Sequence, residues 1–235
     1  MIDVENVDNL AWWNDEVALR REQAVYDAVR KKIQGLHKEV GKRVARAEMM
    51  DVGRKMGIVR RNTLCFDSEE HSAIFMDYLY HFSRVNGSTA YERYLKSLNR
   101  QNEDEVTRLA HDAFAGLRYS VISGTVAKSG FGLLCNDHFL GRQIFLLDRG
   151  LSQQLDGKVA LATALYPVNN WFMTTGAALP LPETQLNETL SDLFLASGLM
   201  YSPPIKLAPK EASRLALTAI RAIGNAGIIE RVRYQ

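Results

Sequence analysis

At Leu117 the periodicity of the chain changes, and that change constrains the fold more than any other feature. Before it, apolar residues recur at helical spacing. After it, as far as Pro180 and Pro182, short runs rich in β-branched and apolar residues alternate with turn residues. The expected class is α+β. A helical region covers 1–116, a small antiparallel five-stranded sheet or barrel covers 117–181, and two C-terminal helices within 182–235 pack on the rest. The connectors are short, so one intertwined fold is expected.

The helical half carries its own punctuation. Val17, Ala24, Val25, Ala28, Val29 and Ile33 or Leu36 share one face of a helix capped by Asn14 or Asp15. A break or kink is expected near Gly35–His37, and a stop near Gly57. Asp67, three residues before Glu70, has capping-box spacing for a helix reaching about Arg84. Asn86-Gly87 is a turn. Ser88 or Thr89 caps a helix bearing Tyr91, Tyr94, Leu95 and Leu98, and another helix spans Glu103–Gly116. The expected strands are Tyr119–Ala127, Phe131–Cys135, Gln143–Leu147, Lys158–Tyr166 and Trp171–Thr175. Pro182 opens a helix over Glu183–Ser197, and a last one covers Pro209–Ile223.

With 235 residues, 46% of them hydrophobic, the chain can bury a core without metal or disulfide. Its two cysteines, Cys65 and Cys135, each lie in an apolar run and read as buried free thiols of a reducing compartment. The first residues are acidic where a secretory signal would be basic. No apolar run is long enough to span a bilayer. A cytoplasmic location without a membrane partner is the expectation.

Charge is uneven although the net value is only +2. Residues 1–19 carry −5, residues 20–61 carry +8 and residues 62–235 carry −1. Within the basic stretch, Arg30, Lys31, Lys32, Lys38, Lys42, Arg43 and Arg46 are candidates for contact with nucleic-acid phosphates. The competing reading is an ordinary solvated helix face.

Two stretches carry a family resemblance. One runs from Phe66-Asp67-Ser68-Glu69 through Asp77-Tyr78 to Asn86-Gly87-Ser88-Thr89-Ala90-Tyr91-Glu92-Arg93-Tyr94-Leu95. The other joins Leu147-Asp148-Arg149-Gly150-Leu151-Ser152, Asp156-Gly157 and Thr174-Thr175-Gly176-Ala177-Ala178-Leu179-Pro180. Their order over residues 64–180 resembles uncharacterised bacterial proteins that join a helical N-terminal half to a small β domain. The resemblance implies the architecture and no activity. Some of those proteins end in a cysteine-rich zinc motif, which is missing here.

Few constellations could carry chemistry. Asp77 and His81 lie one turn apart on a helix, and with His111 and Asp112 they would form a mixed metal site. His111-Asp112 is similar to the dyad of HD-type metal phosphohydrolases, whose other ligands have no counterpart here. His71 and His81 are about 15 Å apart on an ideal helix and cannot share an ion. The plainer reading makes His81 and His111 partly buried residues that make hydrogen bonds. Asp148, Arg149 and Ser152 sit among tight-turn signals and are candidates for a ligand loop. Trp12 and Trp13 read as packing residues ahead of the first helix. No nucleotide-binding glycine loop or hydrolase motif occurs, so no cofactor is expected.

The leading expectation is a non-enzymatic interaction or regulatory protein. Its β module would be the binding surface, and its N-terminal helices would face a protein partner or a second copy. The alternatives are a nucleic-acid-associated protein using residues 20–61 and a metal-dependent hydrolase using Asp77, His81, His111 and Asp112.

Overall fold

The structure, a computed structural model, describes residues 13–154, 160–181 and 186–224. Helix α1 (Glu16–Gly41) starts at Asp15, whose carboxylate accepts from the Val17 and Ala18 amides at 2.9 and 3.3 Å. The helix does not break at Gly35. It buries Leu19, Tyr26, Val29, Ile33, Leu36 and Val40 along one face. That burial outweighs the roughly 1 kcal/mol a mid-helix glycine costs. The chain turns instead just after Gly41, before α2 (Arg46–Met56), which closes at Gly57 with φ 77°.

A two-residue hairpin, β1 (Val59–Arg60) and β2 (Thr63–Leu64), leads to α3 (Glu69–His81). Its N-cap is Ser68 rather than Asp67. Ser68 holds the extended cap position, and its hydroxyl accepts from the His71 amide at 3.1 Å. A second small hairpin, β3 (Arg84–Val85) and β4 (Ser88–Thr89), turns at Asn86-Gly87. Both turn residues have positive φ, the geometry that favours this dipeptide. Thr89 and Glu92 then form a complete capping box for α4 (Ala90–Lys96), and Asp104 caps α5 (Glu105–Ala115).

The remaining strands are β5 (Arg118–Lys128), β6 (Gly132–Asp137), β7 (Arg142–Leu147), β8 (Ala160–Val168) and β9 (Trp171–Leu181), with the short helix α6 (Arg149–Gln154) between β7 and β8. They close into a barrel in the order β5-β6-β7-β9-β8. Hairpin spacing predicts antiparallel neighbours throughout, but β7 meets β9 in parallel at Leu146 and Phe172. An odd number of strands cannot alternate direction around a closed ring, so one parallel seam is required. Strand β9 also runs past Gly176, where the sequence suggests an end. Gly176 adopts φ 100° inside a register shift, and the strand resumes pairing with β8 as far as Leu181.

Strand alternation sorts the barrel's side chains into two cores. Ile122, Leu133, Cys135, Ile144, Leu146, Leu161, Leu165 and Phe172 fill the interior. Tyr119, Val121, Phe145, Leu147, Tyr166, Trp171 and Met173 belong to a larger core shared with the helices. Trp13 packs edge-on against Phe145 at 4.4 Å; Trp12 lies outside the described residues. Helices α7 (Leu186–Ala196) and α8 (Pro209–Gly224) complete that core. They contribute Leu190, Leu193, Phe194, Leu215, Ala216 and Ala219. The positions of Pro182 and Glu183 lie outside the described residues.

Two glycines give opposite predictions. A β-carbon at Gly132 would overlap the Leu146 carbonyl oxygen across the β6–β7 pairing, whereas no atom of the described residues lies within 4 Å of one at Gly35. Gly132→Ala is expected to destabilise by at least about 2 kcal/mol, and Gly35→Ala to stabilise by about 0.5–1 kcal/mol. Urea unfolding midpoints measure both. Equal effects at the two positions would contradict the packing described.

Candidate functional site

Helix α1 lies along the barrel through polar as well as apolar side chains. Glu22 accepts from the Trp171 indole nitrogen at 2.7 Å, and Arg30 donates to the Thr174 carbonyl. Farther along, His37 Nε2 meets the Tyr166 hydroxyl at 3.2 Å, and the same hydroxyl meets His81 Nε2 of α3 at 2.8 Å. Tyr166 thus bridges two imidazoles with a single hydroxyl. It donates to one ring and accepts from the other, so the two rings carry opposite tautomers.

Burial sets the charge state of this cluster. It lowers His37 to about 4, with Arg30 adding to the effect, and it pushes His81 well down, with His37 adding. Burial also raises Asp77 to about 7. Asp77 Oδ1 lies 3.8 Å from His81 Nε2, beyond a hydrogen bond, and the Asp77 side chain is only 11% exposed. The Thr175 hydroxyl beside it opposes the rise but makes no hydrogen bond of normal geometry, so the opposition is weak.

His81 also lines a cleft of about 420 Å³ at one end of the barrel. The end of α3, the β3–β4 hairpin and α4 form one wall, with Phe82, Arg84, Tyr91, Glu92 and Leu95. Phe114 and Ala115 of α5 and Arg118 and Tyr119 of β5 form the floor. Phe139 and Leu140 of the β6–β7 turn, with Ile205, Lys206, Leu207 and Ala212, form the far rim. That rim is tied to the barrel, because the Ile205 amide donates to the Phe139 carbonyl at 2.6 Å.

The residues singled out in the sequence fall in separate places. Asp77 and His81 face strands β8 and β9. His111 instead meets Glu103 at 2.7 Å through Nδ1, and Asp112 pairs with Arg100 at 2.8 Å. The four do not converge, and no three His, Cys, Asp or Glu among the described residues are grouped to hold an ion. The plainer reading of the histidines matches the geometry in that both are hydrogen-bonded, and both are more fully buried than it expects.

Asp148, Arg149 and Ser152 do come together, around α6. Asp148 accepts from the Leu151 amide at 3.0 Å and from Thr174 Oγ1 at 2.8 Å. Ser152 Oγ donates to the Arg149 carbonyl at 2.9 Å, and Arg149 pairs with Asp27 at 2.8 Å. These contacts seat Leu151 in the barrel interior, so the three residues build a plug.

The basic residues divide. Arg30 reaches the barrel, Lys42 pairs with Glu39 at 2.7 Å, and Arg43 meets Ser97 and lies 4.9 Å from the Tyr94 ring centre. Lys31, Lys38 and Arg46 are exposed, and Lys32 is half-buried. The spacing of Arg30 from Tyr26 and Ile33, four and three residues, already put it beside the apolar stripe. The cleft had no comparable signal, because its lining comes from segments scattered over more than 120 residues.

A model described as a family of unknown function (DUF7986) matches residues 20–193. The chain belongs to this family. No curated protein matches the chain, and no solved structure does. The DUF7986 match spans the barrel, the Tyr166 bridge and every cleft wall except the 205–212 rim. Among the described residues no helix is long and apolar enough to cross a membrane.

The buried cluster predicts a pH signature. The folded-state pKa of Asp77 lies above its unfolded value, so its contribution to stability is present at low pH and is lost as pH rises from about 4 to about 7. His37 has the opposite sign. Its pKa is lowered, so stability is lost as pH falls from about 6.5 through about 4. Asp77→Asn is therefore expected to stabilise by on the order of 1–2 kcal/mol near pH 8, with the gain vanishing near pH 4. Denaturant unfolding across that range tests this, and a gain independent of pH would contradict it.

Proposed function

We propose that this protein is a non-enzymatic regulatory module that binds a small organic molecule in the cleft at the end of its barrel. The observation that carries the reading is the cleft itself. Its volume of about 420 Å³ and a wall of aromatic and aliphatic side chains with a few polar groups suit a drug-sized ligand. The barrel interior is occupied by buried apolar side chains, Leu151 among them.

The side chains around the cleft favour binding over catalysis. His81 is held neutral by burial, and its Nε2 is bonded to Tyr166. The Thr89 hydroxyl is occupied in capping α4. Cys135 lies inside the barrel, where burial pushes its thiol up and out of the nucleophilic range. Because His81 of α3 both lines the cleft and bonds the Tyr166 hydroxyl, an occupant would bear on the α3 end of the Tyr166 bridge. That is the link by which occupancy would alter the helical surface offered to a partner. The nucleic-acid reading is left with fewer free cations, since Arg30, Lys42 and Arg43 serve intramolecular contacts.

Phenylnaphthylamine, an uncharged fluorophore that brightens in apolar sites, tests the reading. Saturable binding at one molecule per chain is expected. Ala115→Trp, an exposed position on the cleft wall, is expected to weaken it, and Ala24→Trp on exposed α1 to leave it unchanged. Unsaturable binding, or equal loss in both variants, would count against the cleft.

A further inference from the structure

Asp77 borders a second, smaller void that shares residues with the cleft. This void, of about 10 Å³, lies between α3, α8 and the barrel, with Asp77, Ile74, Ala162, Ala177 and Ala216 in its lining. Phe82 and Tyr119 line both spaces, and their rings meet edge-on at 5.6 Å. These two residues join the surroundings of Asp77 to the cleft.

Asp77 is a buried carboxyl without a counter-ion. Among the described residues the one group at ion-pair distance is His81, 3.8 Å away, and burial keeps that ring neutral. Tyr78 of α3 also borders the void, and its hydroxyl meets Ser213 Oγ of α8 at 3.2 Å. Tyr119 approaches from β5, Tyr166 from β8 and Thr175 from β9, while α8 presents Ala216 and Ile220. On the α1 side, Arg30 is engaged by the Thr174 carbonyl, and His37 is bonded to Tyr166. Burial moves Tyr119 and Tyr166 up and His37 and His81 down, away from neutral pH. Asp77, raised to about 7, moves toward it.

Two neighbours can answer a change of charge there. The Tyr119 and Thr175 hydroxyls are buried and have no hydrogen-bond partner among the described residues. A buried carboxylate needs donors, and it would take both. The arrangement with both hydroxyls unpaired is therefore that of the neutral acid.

We propose that Asp77 is a proton switch for the cleft: losing its proton draws the Tyr119 and Thr175 hydroxyls to the carboxylate and shifts the Tyr119–Phe82 pair in the cleft lining. An apolar occupant excludes water from the Phe82–Tyr119 side, which favours the neutral acid. By reciprocity the occupant binds the protonated form more tightly. The effect on a ligand rests on the cleft being a binding site, as argued above; the movement of Tyr119 does not.

Phenylnaphthylamine binding between about pH 6 and about pH 8.5 tests the switch. The wild type is expected to lose affinity about threefold as pH rises, with a midpoint at about 7. Asp77→Asn, a neutral isostere, is expected to hold the low-pH affinity throughout. Hydrogen exchange of the probe-free protein, corrected for its intrinsic pH dependence, reads the same switch without a ligand. Residues 78–85 and 117–121 are expected to change protection across this range in the wild type and not in Asp77→Asn. Saturable binding that is independent of pH overturns the switch and leaves the cleft reading standing. A pH dependence that Asp77→Asn retains, in binding or in exchange, overturns it too. Unsaturable binding at every pH overturns the cleft reading, and the exchange comparison then decides alone whether Tyr119 moves.

Discussion

Asp137 and Asp148 are buried at opposite ends of the β6–β7 hairpin, and the barrel depends on both being fully hydrogen-bonded. Asp137 receives Ser120 Oγ at 2.7 Å, the Phe139 and Leu140 amides at 3.0 and 2.9 Å, and Arg118. Asp148 receives Thr174 and the first turn of α6. A carboxylate inside a protein is tolerable only with such partners, because its desolvation is otherwise prohibitive. Each aspartate therefore fixes the geometry around it. One shapes the β6–β7 turn and holds Arg118, and the other docks the plug helix.

That arrangement decides where a ligand could go. A barrel of five strands is narrow enough for its own side chains to fill, and here α6 adds Leu151 to the interior. The cleft lies outside the barrel, between it and the helices. The cleft lies at the Asp137 end, beside Arg118 and the β6–β7 turn. The C-terminal segment reaches the same end, tied there through the Ile205 amide and through Tyr201, whose hydroxyl meets the His138 carbonyl at 3.4 Å. Across the middle, Tyr166 joins α1 and α3 to the barrel through two neutral imidazoles. The Tyr166 bridge is thus polar but uncharged, which spares that part of the core the desolvation of an ion pair.

Much of the fold was legible because local chemistry agreed with global packing. The change of period at Leu117, the Asp15 and Thr89 caps, the stop at Gly57 and the Asn86-Gly87 turn each have a short-range cause. Gly35 misled because the cost of one glycine is local, whereas the burial of α1 against the barrel is not. Asp67 misled because the cap position is fixed by the backbone, which placed Ser68 there. The parallel β7–β9 seam follows from closure, which no local pattern announces. The chemistry was harder to read. Asp148, Arg149 and Ser152 were picked out by turn signals that are real, yet the turn builds a plug. The cleft draws its lining from distant segments, and becomes visible only in three dimensions.

The central claim is that the cleft at the Asp137 end of the barrel is where this protein would meet a ligand. Hydrogen exchange with and without saturating phenylnaphthylamine tests it most directly. The account predicts slowed exchange in residues 81–95 and 201–212, with the exposed surface of α1 around Lys31 and Lys38 unchanged. Protection confined to that basic surface, or none at the cleft when the probe is bound, would contradict it.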